Sequence, residues 1–143
     1  MRSKATLLLV LLMVGLSLAG CVRSELEPLA VVTLVNEADD LLMDFVQTGQ
    51  WVQFDERYEG EAIAAPDRFP EWARSQYEAC IYWTDEFRMN NRQGGVAAKG
   101  RVWGWIVINR KLDYQILEVA YEDEETGETH TLLSAWDEPV DEE

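Results

Sequence analysis

The 143-residue chain is poor in the residues from which most catalytic and metal sites are built. It has a single histidine, His130, and two cysteines, Cys21 and Cys80. A zinc centre takes about four nitrogen, sulfur or carboxylate ligands, so one assembled from several histidines or thiols is excluded by count. No Gly-x-Ser-x-Gly elbow, P-loop or dinucleotide fingerprint occurs after residue 20. Cations are scarce as well: 12 Lys and Arg stand against 27 Asp and Glu, a formal charge of −15 that repels a polyanion and makes nucleic acid an unexpected partner. Long apolar runs are also missing after residue 21, where charge interrupts each one within a few residues, so no second membrane segment is expected.

One uncharged run does occur. Arg2 and Lys4 precede a stretch from Ala5 to Cys21 dominated by leucine, valine and methionine, the layout of an export signal. It is slightly short of the roughly 20 apolar residues of a spanning helix, and Gly15, Ser17 and Gly20 weaken its distal end. Its last residues, Leu18, Ala19, Gly20 and Cys21, resemble the lipobox of bacterial lipoproteins. That resemblance implies cleavage of residues 1–20, a diacylglycerol on the Cys21 thiol, an acylated amine and residence in the cell envelope, attached to a membrane through the lipid. Two or more acyl chains hold a protein stably at a bilayer, where one does not. Val22 stands where an aspartate resembles the signal for inner-membrane retention, which implies the periplasmic face of the outer membrane in a cell with two membranes.

Removal of the leader and its two cations leaves 123 residues and takes the formal charge from −15 to −17. That length is one domain, and that charge sets the body off anionic headgroups and leaves attachment to the lipid alone. With Cys21 acylated, Cys80 is the remaining thiol and no intramolecular disulfide forms. Between Ala79 and Ile81, with no adjacent cation or histidine, Cys80 reads as packing.

Along the mature chain, residues 21–27 form a lipidated spacer whose polar part, 22–27, reaches about 20 Å when extended. A single domain follows over 28–136. Pro28 suits a first helical turn, and Leu29, Val32, Val35, Leu42, Phe45 and Val46 recur at helical spacing up to a stop at Gly49, predicting a helix of about five turns. Residues 50–60, with Trp51, Phe54 and Tyr58, suggest a second short helix, and 61–70, with Pro66 and Pro70, a loop. Over 71–89, Ala73, Tyr77, Cys80, Thr84 and Phe87 make a helical stripe that favours a third helix over a rival strand at 79–84. A turn at 90–95 changes the pattern to extended structure. Strands are expected over 101–109, 112–122 and 129–136, with a hairpin turn at 124–128 containing Gly127. The acidic residues 137–143 form a disordered tail.

Helices followed by an antiparallel strand meander make an α+β domain, with the N-terminal helices packed on the sheet. A long helix ending in Thr48, Gly49, Gln50 and Trp51, a short helix, and the closing segment from Tyr114 to Thr131 resemble NTF2-like or cystatin-like cone folds.

Little in the chain announces chemistry. Carboxylates are too many for a catalytic pair to be singled out, and no catalytic residue, cofactor or metal site is named. His130, beside threonines in an expected strand, reads as structural. Asp123, Glu125 and Glu128 around Gly127 lack the closing glutamate of an EF-hand and read as a solvated hairpin tip. The most unusual feature is the count of 6 tryptophans. Trp103 and Trp105, two residues apart on one strand, share a face and either line a concave pocket or pack a core. The sequence therefore points to a membrane-anchored envelope lipoprotein acting as a non-enzymatic module for a protein partner or small apolar ligand. The alternatives are an NTF2-like enzyme with an aromatic-lined cavity and one carboxylate as base, and a structural subunit of an envelope assembly.

Overall fold

The computed structural model describes the backbone of residues 4–139 and the side chains of residues 25–139. One helix, α1 (Lys4–Phe45), precedes six strands. They are β1 (Val52–Phe54), β2 (Glu61–Ala64), β3 (Ala79–Asn90), β4 (Val96–Ile108), β5 (Tyr114–Asp123) and β6 (Thr129–Ser134), with a short helix α2 (Glu71–Gln76) between β2 and β3. All pairings are antiparallel, in the order β1-β3-β4-β5-β6, and β2 pairs with the upper half of β3 above β1. The chain is thus α+β, a helix on an antiparallel meander.

α1 packs through residues four apart, Leu26, Ala30, Leu34, Ala38 and Leu42, flanked by Val31 and Val35, all buried. This stripe meets Ile81, Trp83, Phe87 and Met89 of β3, Val102, Ile106 and Ile108 of β4, and Val119 and Tyr121 of β5. Gly104 lets Leu34 reach the sheet, since a Cβ there would lie 2.7 Å from Leu34 Cδ2. Gly60, on the edge, makes room for the indole of Trp83, whose Nε1 is the one buried side-chain polar atom without a hydrogen-bond partner among the described residues.

The course of α1 over the sheet orients the molecule. Leu34 lies on Gly104, Asp39 reaches Arg57 beside the middle of β3, Phe45 packs on Tyr121, and Gly49 lies against Met89. The helix therefore runs antiparallel to β4, from the Ile108 end toward the β3–β4 hairpin. Counting back eight residues from Leu34 at about 1.5 Å each places Leu26 some 12 Å higher, level with Ile108, four strand residues above Gly104. Both belong to the same core.

Several expected elements differ. Residues 22–27, expected as an extended spacer, continue α1, and Leu26 is buried in the core. Pro28 lies inside the helix. It removes one ladder hydrogen bond near the start of the packed segment. The helix stops at Phe45, a turn before Gly49, and 50–60 form β1 and a 3-10 turn, Arg57–Glu59, in place of a second helix. The element order behind the cone-fold resemblance is accordingly altered. The expected third helix is six residues of α2 followed by twelve of β3, the rival strand reading. Over 79–84 β3 is packed on both faces, which erases the period-two signal there, and the alternation that remains is confined to 85–89. The loop 61–70 contains β2 and a 3-10 turn, Pro66–Arg68. Strands expected at 101–109, 112–122 and 129–136 correspond to β4, β5 and β6, with β4 beginning five residues earlier. The first three residues of the expected tail, 137–139, continue from Trp136 with Glu138 held by Gln76, and 140–143 lie outside the described residues.

Candidate functional site

The sheet face turned away from α1 has two zones. In the upper one, Trp103 and Trp105 do share a face of β4, opposite to Gly104, which meets the helix. The hollow their spacing suggests is filled. Phe69, Ala73, Val107 and Leu117 are buried with Trp105, and Trp72, Tyr77, Cys80, Tyr82, Trp103 and Trp136 close around them. Trp105, 8% exposed, contacts Tyr82, Phe69 and Trp136 at ring-centroid distances of 4.5, 5.4 and 5.7 Å. Both tryptophans therefore pack a second, smaller core beneath α2 and the C-terminal segment, and neither lines the cleft described below.

A β-bulge fixes this zone. Trp105 pairs with Glu118 while Ile106 pairs with Ile116, so Leu117 is the extra residue and joins Glu118 on the outer face. The Glu118 carboxylate then accepts from Trp103 Nε1 at 3.0 Å and Trp136 Nε1 at 3.3 Å, and the Trp136 carbonyl accepts from Trp72 Nε1 at 3.1 Å. Each indole N–H finds an oxygen, as half-buried tryptophans require.

The lower zone is an open cleft of about 990 Å³ beside β1. Cross-strand registers Gln53↔Arg88↔Lys99 and Glu86↔Arg101↔Glu122 form its floor. Arg101 donates to Glu86 Oε1 and Thr84 Oγ1, both at 3.3 Å, Lys99 pairs with Glu124 at 3.3 Å, and Arg88 Nε donates to Asn90 Oδ1 at 3.0 Å. Arg57 stands at the rim, its guanidinium 4.9 Å from the Tyr58 ring and 5.8 Å from that of Phe54. Four of the cations in this acidic chain thus meet in one place. Their pairs are half-exposed, each worth about 0–1 kcal/mol. They open at little cost when a ligand brings its own charges. Sequence reasoning missed this site because its residues come from β1, β3, β4 and β5, and the period-two charges at 86, 88, 99 and 101 were the only local sign.

Asp85 supports the rim from behind. It is buried, and its carboxylate accepts from the backbone N–H of Arg57 and Glu86 at 2.8 Å each and of Glu56 at 3.2 Å. This holds Arg57 in its left-handed conformation, φ 51°. Burial pushes the carboxyl above its ordinary value, and the three N–H groups pull it only part of the way back. Raised above its unfolded value, the group binds its proton more readily in the folded state. Its favourable contribution is full below about pH 3.8 and is lost as pH rises through the folded value. Thermal melts of Asp85→Asn across pH 3–7 should accordingly show a flatter pH dependence than the parent. They should also show a loss of about 1–3 kcal/mol at every pH from the N–H groups left short of an acceptor. An unchanged slope refutes the assignment.

Other singled-out residues are structural. His130 stacks between Phe45 and Tyr121, at 5.2 and 5.0 Å. Cys80 is half-buried at the edge of the second core, and burial pushes its thiol up, partly offset by Arg74. Asp123 Oδ1 accepts from the N–H of Glu125 and Thr126, and Gly127 takes φ 71°, an ordinary hairpin tip. No group of metal-ligating side chains is gathered among the described residues. The side chains of Cys21 and the rest of the lipobox lie outside the described residues.

No family model matches the chain, and no curated protein or solved structure is detectably similar to it.

Proposed function

We propose that the chain is a lipid-anchored, non-enzymatic binding module of a bacterial envelope that presents its charged cleft to a protein partner. Its separation of tether and cleft carries the reading. Leu26 is the first core residue among those described, five after Cys21, so cleavage before Cys21 takes no described core residue with it. α1 runs from that point toward the opposite end, where Lys99, Gly100 and Arg101 form the cleft. Eight strand residues separate Gly100 from Ile108, about 26 Å at a rise of ~3.3 Å. A domain tethered at one end thus offers the other to the periplasmic space.

A single buried carboxylate in a cavity, the requirement of the enzyme alternative, has its nearest counterpart in Asp85. That side chain is held by three N–H groups on the helix side of the sheet and does not line the cleft. Its lone pairs are committed to the backbone.

Two measurements test the proposal. Mass spectrometry of the chain purified from membranes should find a mature N-terminus at acylated Cys21. A photo-crosslinking residue at Gln53, inside the cleft, should capture one partner that a probe at Asn36 on the helix does not, and Arg88→Glu with Lys99→Glu should abolish the capture. Equal capture from both probes, or capture insensitive to the charge reversals, refutes the cleft as the binding surface.

A further inference from the structure

The β4–β5 hairpin faces the same way as the tether. α1 is helical at Cys21, and the five residues from Cys21 to Leu26 add about 7.5 Å beyond the level of Ile108. Residues 109–113 carry the hairpin past Ile108 over a similar distance. At its tip, Leu112 adopts φ 65°, the left-handed region where glycine or asparagine sits without strain and a γ-branched side chain rarely does. The backbone thus does not call for leucine there. Neither does packing, because Leu112 is 56% exposed and belongs to neither core. Tyr114, at the start of β5, is 53% exposed beside it. A strained, uncovered leucine next to an uncovered tyrosine is understandable when a third body covers them.

We propose that this hairpin tip is a second membrane contact, with Leu112 and Tyr114 entering the headgroup and upper acyl region of the bilayer to which Cys21 is tethered. The inference rests on the lipid-anchor reading of Cys21. Position selects the occupant, because the tip and Cys21 lie at the same end of the helix and sheet, and the local charge permits it. Arg110 and Lys111 are the only adjacent pair of cations after residue 20, and they immediately precede Leu112. Arg110 pairs with Glu78 at 3.2 Å, and Asp113, which accepts from the neutral Asn109 amide, keeps its charge. Arg110, Lys111, Glu78 and Asp113 thus balance, and the tip escapes the acid excess of the rest of the body. Among the described residues Lys111 forms no ion pair, leaving its ammonium for a lipid phosphate. Gln76 takes up Glu138 at 3.0 Å, holding that part of the acidic C-terminal segment against α2. A tyrosine at the rim of an apolar side chain is the usual arrangement at a membrane interface. The whole-body charge of −17 argues for stand-off only when spread evenly; here one cation pair, Arg110 and Lys111, and the exposed apolar tip coincide at the tethered end. Contact at two points would fix the tilt of the domain and hold the cleft outward, where a single lipid allows free rotation.

The test uses the full lipidated chain in phosphatidylethanolamine–phosphatidylglycerol vesicles. An environment-sensitive fluorophore is placed at Leu112→Cys or, as control, at Val96→Cys on the exposed opposite end, both with Cys80→Ser. The Leu112 probe should shift to the blue and be quenched by a nitroxide-bearing lipid, and the Val96 probe should do neither. Quenching at 112 should weaken with Arg110→Gln and Lys111→Gln together. If Cys21 is acylated and both probes remain in water, this inference fails and the anchor stands. If Cys21 carries no lipid, the anchor reading fails and takes this inference with it.

Discussion

Replacing Trp105 with alanine lowers the stability of the domain by about 3–5 kcal/mol, the range for truncation of a large buried aromatic. For a domain of this size that corresponds to a fall in melting temperature of roughly 12–20 °C. The reason lies in where the ring sits. It contacts Tyr82, Phe69 and Trp136, and these are the residues through which α2 and the C-terminal segment adhere to the sheet. Trp103→Ala is milder. That side chain is half-buried at the border, and its loss leaves Glu118 with one indole donor instead of two. About 1–1.5 kcal/mol is expected. Differential scanning calorimetry of the two variants separates packing from pocket lining. A Trp105→Ala protein that melts like the parent would mean that the upper zone holds an open hollow, and the second core would have to be abandoned.

Gly100→Ala costs a comparable amount, about 3 kcal/mol, by a different mechanism. A Cβ at Gly100 would collide with the backbone carbonyl of Glu122 and crowd Glu124 N at 3.2 Å. Neither can retreat freely. Arg101 and Glu122 are directly paired in the β4–β5 ladder, and Glu124 N donates to the Lys99 carbonyl at 2.9 Å. The close approach of the two strands at this point also keeps Lys99, Arg101 and Glu122 within one cleft. Amide hydrogen exchange should show lost protection confined first to 98–102 and 120–124, ahead of the helix-facing core. Unchanged protection in those segments would mean that the strands do not approach as closely as the geometry requires.

These effects bear on how the molecule works. The helix layer and the aromatic layer sandwich the upper half of the sheet, whereas its lower half is covered on one face only and carries the cleft. Rigidity is concentrated toward the Ile108 end of the sheet, and the exchangeable charges are at the other. Such a division suits a module that must hold its orientation while its surface re-pairs with a partner.

Some features were legible without a structure because they depend on local chemistry. The uncharged run from Ala5 to Cys21 and its Leu18–Cys21 pattern are contiguous residues. The antiparallel β4–β5–β6 meander is announced by extended apolar runs separated by turn residues such as Asn109 and Gly127, the latter at positive φ. The α+β class follows from that order alone. Where the period was hidden, the sequence misled. β3 reads as helix because both faces of its upper half, 79–84, are covered, and residues 22–27 read as a spacer because Leu26 looks like one leucine among charges. Its burial depends on Ile108 and its neighbours more than fifty residues away. The tryptophan pair was correctly assigned to one face, but whether that face is hollow or filled depended on Phe69, Ala73 and Trp136, which arrive from two distant segments. The charged cleft and the shared direction of Cys21 and Leu112 belong wholly to the tertiary structure. Each arises from strand register and from the antiparallel run of α1 over β4, and a register is a relation between segments that neither contains alone.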